Sequence, residues 1–216
     1  MPARPPASDL KILIAAGAVT LVLSIASFVV APVDSASYVT GSSYSPRGDG
    51  AKAAFLMLKE IGYSVERSFE PLTALRRAPE RTVLILAAPV EGPSQQDIRA
   101  LRQFVAAGGI VLATDRSGGE FLPGVPAPAP RAAFPDDLTT VTAAIVSPLT
   151  RSVPRIEVRR ASKPLSPVSQ YVTVYGDDAS PAVVMARPGS GTAVWWADSW
   201  PLMNEGIATP GHAELL

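Results

Sequence analysis

The sequence predicts an α/β domain: a three-layer sandwich with a mostly parallel sheet and C-terminal β-hairpin additions, preceded by one transmembrane helix. Three observations carry this reading. Two short runs, Thr82–Ala88 and Ile110–Thr114, are apolar on both faces, as strands covered by helices on both sides must be. Around them helix and strand alternate at short spacing, the order that right-handed crossovers of a parallel sheet impose. Ahead of them Ile12–Val33 holds 22 residues without a charge, and as a helix this segment reaches about 33 Å, enough for a hydrocarbon core of about 30 Å.

The apolar run divides the chain into a cytoplasmic N-terminus (1–11), a transmembrane helix (12–33) and an extracytoplasmic domain (37–216). Arg4, Lys11 and the amino terminus precede the span, whereas the next basic residue is Arg47. Excess Lys/Arg marks the cytoplasmic side, which places the N-terminus inside and the body outside the cell membrane. A cleaved signal peptide is the alternative, with Val33 and Ser35 as cleavage positions; its apolar core is normally about 7–15 residues, shorter than this one.

The elements follow in order. Ser35–Ser45 is polar and holds a short strand around Tyr38–Gly41. Ala51, Ala54, Phe55, Leu58 and Ile61 recur at helical spacing, and Gly62 ends that helix. Tyr63, Val65, Arg67 and Phe69 alternate with polar residues, which predicts a half-buried edge strand. Pro71–Arg77 reads as a short helix. After the Thr82–Ala88 strand, Ser94 caps a helix with Asp97 near its positive end, and Gly108-Gly109 close it. Ile110–Thr114 follows. Leu122–Pro135 is a proline-rich, helix-free insertion, and strands then dominate: Thr139–Val146, Arg155–Arg160, Tyr171–Tyr175, Ala182–Ala186 and Thr192–Ala197. Ala213–Leu216 begins an apolar helical pattern with nothing beyond it to pack on, the mark of a piece of a longer chain.

Composition removes several chemistries. Lys+Arg and Asp+Glu are both 19, so no basic excess points to nucleic acid. With no cysteine and one histidine, disulfides, thiolate nucleophiles and Cys-based zinc sites are excluded. No metal site and no cofactor is predicted. His212, close to the end, reads as a solvated side chain.

The candidate ligand-binding rim is Asp115, Ser117, Asp198 and Ser199. Asp115 and Asp198 each close an apolar strand, and open α/β sheets bind ligands beyond the carboxyl ends of their strands. If those strands are parallel neighbours, the four residues share one rim. Asp and Ser at such positions also cap the next turn, the commoner role. Asp177-Asp178 is a solvated hairpin tip. Ser45–Gly50 lacks the lysine of a phosphate loop and reads as a helix cap. Of Trp195 and Trp196, adjacent in one strand, one faces the core; the other, with Trp200, either forms an aromatic surface or packs on the last helix.

Two stretches carry a family resemblance. Ser42-Ser43-Tyr44-Ser45-Pro46-Arg47-Gly48, with the helix after it and Gly62–Arg67, is similar to the opening of the domain-of-unknown-function family 4350. Gly189-Ser190-Gly191, Trp195–Ser199, Pro201-Leu202 and Asn204–Ile207 resemble its close, and Phe104–Gly109 fits its middle. The resemblance spans about residues 37–216. It implies a bacterial membrane protein with a flavodoxin-like or class I glutamine amidotransferase-like domain outside the cytoplasm, a second span after it, and envelope or MoxR-type ATPase-associated membrane proteins as partners. An amidotransferase-like site would need a nucleophile on a strand-to-helix elbow with a histidine base. At Ala87-Ala88-Pro89-Val90-Glu91-Gly92, where that elbow is expected, there is no nucleophile. No catalytic residue is therefore predicted. The expected function is a non-catalytic, membrane-anchored binding or scaffolding domain of an envelope complex. A carboxylate- or metal-dependent hydrolase, or a ligand-sensing accessory of a transport system, is the alternative.

Overall fold

A computed structural model describes Thr20 and residues 39–75, 79–122, 125, 138–159, 170–178 and 180–216. The chain divides into two units, Met1–Ser37 and Tyr38–Leu216. The predicted span Ile12–Val33 lies outside the described residues except for Thr20, which is helical. Among the described residues no helix is long and apolar enough to cross a membrane. Most of the Leu122–Pro135 insertion also lies outside them.

The second unit is built on a five-stranded sheet. Its strands are β1 (Val83–Leu86), β2 (Ile110–Thr114), β5 (Val172–Asp177), β6 (Ser180–Ala186) and β7 (Thr192–Trp196), in the order β1-β2-β7-β6-β5. β1, β2 and β7 pair in parallel, with Leu112 opposite Val194 and Thr114 opposite Trp196. β6 runs antiparallel to both β7 and β5, so it alone is reversed and the sheet is mostly parallel.

The hairpin additions are not all in that sheet. β3 (Leu138–Thr142) and β4 (Arg155–Arg159) form a separate antiparallel pair, joined by a short helix α4 (Pro148–Ser152). Ser147 and Thr150 make a reciprocal capping box that starts α4, a signal not used in the sequence reading.

Side-chain alternation along the strands sorts the core into two clusters. Val111, Ala113, Val184 and Trp195 pack with Leu101, Phe104 and Val105 of helix α2 (Gln95–Ala106) and with Phe121, Leu122 and Val125. Their sequence neighbours Leu112, Val183 and Trp196 pack with Ala54 of helix α1 (Lys52–Glu60), with Ile156 and Val158 of β4, and with Leu202. The sheet is thus covered on both faces, as its uninterrupted apolar strands require. α2 begins at the predicted cap: Ser94 Oγ accepts the Asp97 N–H at 3.1 Å, and the Asp97 carboxylate accepts the Ser94 N–H at 3.0 Å.

Four local expectations are corrected. Val39–Gly41 is a turn, and Leu72–Ala74 is a single 3-10 turn. Tyr63–Phe69 joins no strand ladder. Its alternation has another cause: the Arg67 guanidinium lies between the Tyr44 and Phe55 rings, 3.9 and 3.8 Å from their centroids. It also donates to Ser43 Oγ at 3.0 Å and to the Ser43 carbonyl at 2.7 Å. At the other end, Leu215 and Leu216 do have a surface to pack on, the second core cluster.

Candidate functional site

The parallel pairing of β2 with β7 brings Asp115 and Asp198 to the same edge of the sheet, the condition on which the shared rim depends. The four rim residues play different parts there. Asp198 is buried, 6% exposed, and its carboxylate accepts the backbone N–H of Arg159 and, at 3.0 Å, that of Trp200. It therefore ties the end of β4 to the turn after β7. Ser199 is fully buried, and its hydroxyl lies 2.8 Å from that of Thr114, which in turn accepts the Ala88 N–H at 3.1 Å. This chain links the carboxyl ends of β1, β2 and β7. Asp115 and Ser117 are half-buried on the rim itself.

Asp115 has a left-handed backbone, φ 66°, a conformation costing about 1–2 kcal/mol for an L-residue but tolerated best by Asp and Asn among non-glycines. It stands between β2 and the short helix α3 (Asp115–Gly119). Its carboxylate accepts the Arg116 N–H at 2.6 Å, and its carbonyl accepts the Trp195 indole N–H at 2.8 Å. Gly118 lets α3 close on β2, because a Cβ there would lie 3.1 Å from the Ala113 carbonyl carbon. A strand, a left-handed residue and an immediate helix are the parts of an elbow. The elbow geometry therefore belongs to Asp115. Ala88 also has a left-handed φ, 45°, but eight residues separate β1 from α2 there.

A second group of loops meets the same edge. Gly41 packs against the Ala87 carbonyl, so closely that a Cβ would lie 2.6 Å from that oxygen. The Ser45–Gly50 loop then leads into α1, but it does not cap it: Ala51 makes no side-chain cap. Asn204 supplies the cap from 151 positions away, its Oδ1 accepting the Ala53 N–H at 2.7 Å. The Asn204 amide also donates to the Ser45 carbonyl at 2.9 Å and to the Arg47 carbonyl. The two ends of the sequence resemblance are thus in direct contact.

His212 is a correction. It is fully buried, its Nδ1 lies 2.6 Å from the Gly206 carbonyl, and its Nε2 is 3.3 Å from the Glu157 amide nitrogen. A carbonyl only accepts and an amide N–H only donates, so the ring carries its proton on Nδ1 and accepts at Nε2. His212→Ala is expected to strand both backbone groups and leave a cavity, lowering stability by about 2–3 kcal/mol; a urea-unfolding midpoint checks this. The aromatic-surface alternative for the tryptophans also fails, since Trp195, Trp196 and Trp200 are 0%, 5% and 8% exposed. Trp195 and Trp196 do point to opposite faces, one in each core cluster. The Trp200 ring is covered by the Arg159 guanidinium 4.2 Å from its centroid, and Arg159 pairs with Glu205 at 3.6 Å.

Among the described residues no group of three or more His, Cys, Asp or Glu side chains is placed to hold a metal ion. Fold and edge together define a mixed α/β domain whose strand-end loops are locked to one another through buried polar side chains. A profile of the family described as a domain of unknown function (DUF4350) matches residues 43–216, and the chain belongs to that family. No curated protein matches the sequence. Among solved structures, similarity extends to a β-galactosidase from Bacillus circulans sp. alkalophilus at 15% identity and TM-score 0.41, over 62% of this chain and 22% of that one. An exo-β-1,4-mannosidase from Opitutaceae bacterium strain TAV5 matches at 15% identity and TM-score 0.44, over 68% and 25% of the two chains. The mmIFT52 N-terminal domain matches at 11% identity and TM-score 0.41, over 62% and 72%. The chain spans about a quarter or less of either glycosidase, and likeness at this level carries no argument about fold or activity.

Proposed function

We infer that this chain is a membrane-anchored binding or scaffolding domain, held outside the cytoplasm by Ile12–Val33 and working with envelope proteins such as those associated with MoxR-type ATPases. The observation that carries this reading is the use made of the buried polar side chains at the carboxyl edge. Asp198 and Ser199 at that edge, and His212 between β4 and Gly206, all bond to groups of the protein itself, which makes a fixed platform of loops. We read the parallel core β1-β2-β7 with its helices as related to flavodoxin-like and amidotransferase-like domains. The turn after β1 supports a non-catalytic variant of that plan, because its strained residue, Ala88, carries only a methyl group.

Pull-down from detergent-solubilised membranes tests this reading. A fixed set of membrane partners is expected, and recovery of nothing reproducible would count against it.

One observation favours a second reading, a carboxylate-dependent hydrolase: Asp115 stands on a strand-to-helix elbow, the position from which such folds present a nucleophile. In that case the purified protein turns over an ester, amide or glycoside, and Asp115→Asn abolishes the turnover. In the binding reading there is no turnover, and Asp115→Asn leaves partner recovery intact.

A further inference from the structure

Among the described residues the most exposed aromatic side chain, Phe69, stacks on a ring near the start of the second unit. Phe69 is 82% exposed and stacks on Tyr44, which is 42% exposed, with ring centroids 5.8 Å apart and planes 28° from parallel. Beneath them the Arg67 guanidinium fills the space between Tyr44 and Phe55 and is fixed by two bonds to Ser43. The column Phe55–Arg67–Tyr44–Phe69 is therefore pre-ordered, and its outer end is apolar and open to solvent. Apart from its contact with Tyr44, a Phe that exposed buries little of its ring in the domain's own packing.

On the membrane-anchored reading, the length of chain ahead of the column limits how far it can lie from the bilayer. Val39 is six residues beyond Val33, a link that spans at most about 20 Å fully extended. Ser42 N–H donates to the Val39 carbonyl at 3.0 Å, and Tyr44 N–H to Ser42 Oγ at 3.3 Å. The column thus begins one turn after the point where the tether arrives. On the membrane-anchored reading, aromatic rings that close to a bilayer suit its interface, where they enter between headgroups.

We propose that the Tyr44–Phe69 stack, braced by Arg67, docks on the lipid surface and orients the domain on the membrane. This rests on the membrane-anchored reading above. The partner is the bilayer itself, an aromatic contact among lipid headgroups, rather than a second protein.

The chain has no cysteine, so single cysteines can be introduced and labelled. The full chain, carrying a fluorophore at Ser68→Cys or at Ser190→Cys, is reconstituted into vesicles of phosphatidylcholine with one quarter phosphatidylglycerol. Ser68 adjoins the stack; Ser190 lies in the exposed turn before β7, at the opposite end of the sheet. The expected result is several-fold protection of the Ser68 label from iodide, with quenching by brominated lipid, and neither effect at Ser190. Tyr44→Ser with Phe69→Ser should abolish both effects while the chain stays with the vesicles. Equal iodide access at the two positions in vesicle-bound chain would overturn the docking and leave the anchor standing. Protection at Ser68 without brominated-lipid quenching would also overturn it, in favour of a protein contact. Chain that fails to float with vesicles overturns the anchor, and the docking with it.

Discussion

Trp195→Ala is expected to destabilise the folded domain severely. The side chain is fully buried in the first core cluster, with residues of α2 and β2 and with Phe121, Leu122 and Val125, and its indole N–H holds the Asp115 carbonyl. Truncating a buried tryptophan costs about 3–5 kcal/mol through lost contacts and the residual cavity, against a total stability for such domains of about 5–15 kcal/mol. The urea midpoint should fall accordingly, with the two remaining tryptophans as fluorescent reporters. Trp195→Phe separates packing from hydrogen bonding: it keeps most of the contact area and loses the bond to Asp115. The expected loss is about 1–2 kcal/mol, with faster amide exchange confined to Asp115–Gly119. Unchanged exchange there would mean that the indole bond does not hold the elbow.

Asn204→Ala should be about as damaging as His212→Ala. One side chain caps α1 through the Ala53 N–H and holds the Ser45 and Arg47 carbonyls. Losing it leaves an orphan helix N–H and two loop carbonyls; because the site is only partly buried, water recovers some of this, and about 2–3 kcal/mol is the expected loss. For a domain of this size that is a fall of roughly 4–12 °C in Tm. Asn204→Asp is the informative partner. Its carboxylate still accepts the Ala53 N–H and sits well at a helix N-terminus, yet it repels the two carbonyls. Amide exchange should therefore rise in Ser45–Gly50 while α1 stays protected. If both segments loosen equally, cap and clamp are one interaction and not two.

These two residues also mark how far the sequence could be read. Trp195 in a buried strand follows from the apolar run Thr192–Ala197, and its facing opposite to Trp196 follows from strand geometry. The Ser94 cap of α2, closed by Asp97, lies within four consecutive residues and is equally legible. The rim was half visible. Asp115 and Asp198 could be named as strand-end carboxylates, but that β2 and β7 are parallel neighbours is a fact about chain closure. Asn204 was not legible as a cap, since its partner Ala53 is 151 positions away. His212 was misread for the same reason: proximity to the chain's end says nothing about the Glu157 and Gly206 backbone groups that enclose it. Tyr63–Phe69 misled in the opposite sense, because a period of two also arises when Arg67 reaches between two rings off the sheet.

By itself the sequence determined the apolar strands, the helices with their stops, the charge-free segment near the amino end and the absence of thiol chemistry. Each of these depends on residues within one window, where periodicity and local hydrogen bonding act. Tertiary structure alone decided that β7 inserts between β2 and β6, that β3 and β4 leave the main sheet, and that the elbow belongs to Asp115. It also decided which polar side chains are buried. Burial and long-range hydrogen bonds are set by which distant segments meet, and a chain's local preferences do not encode that meeting one residue at a time.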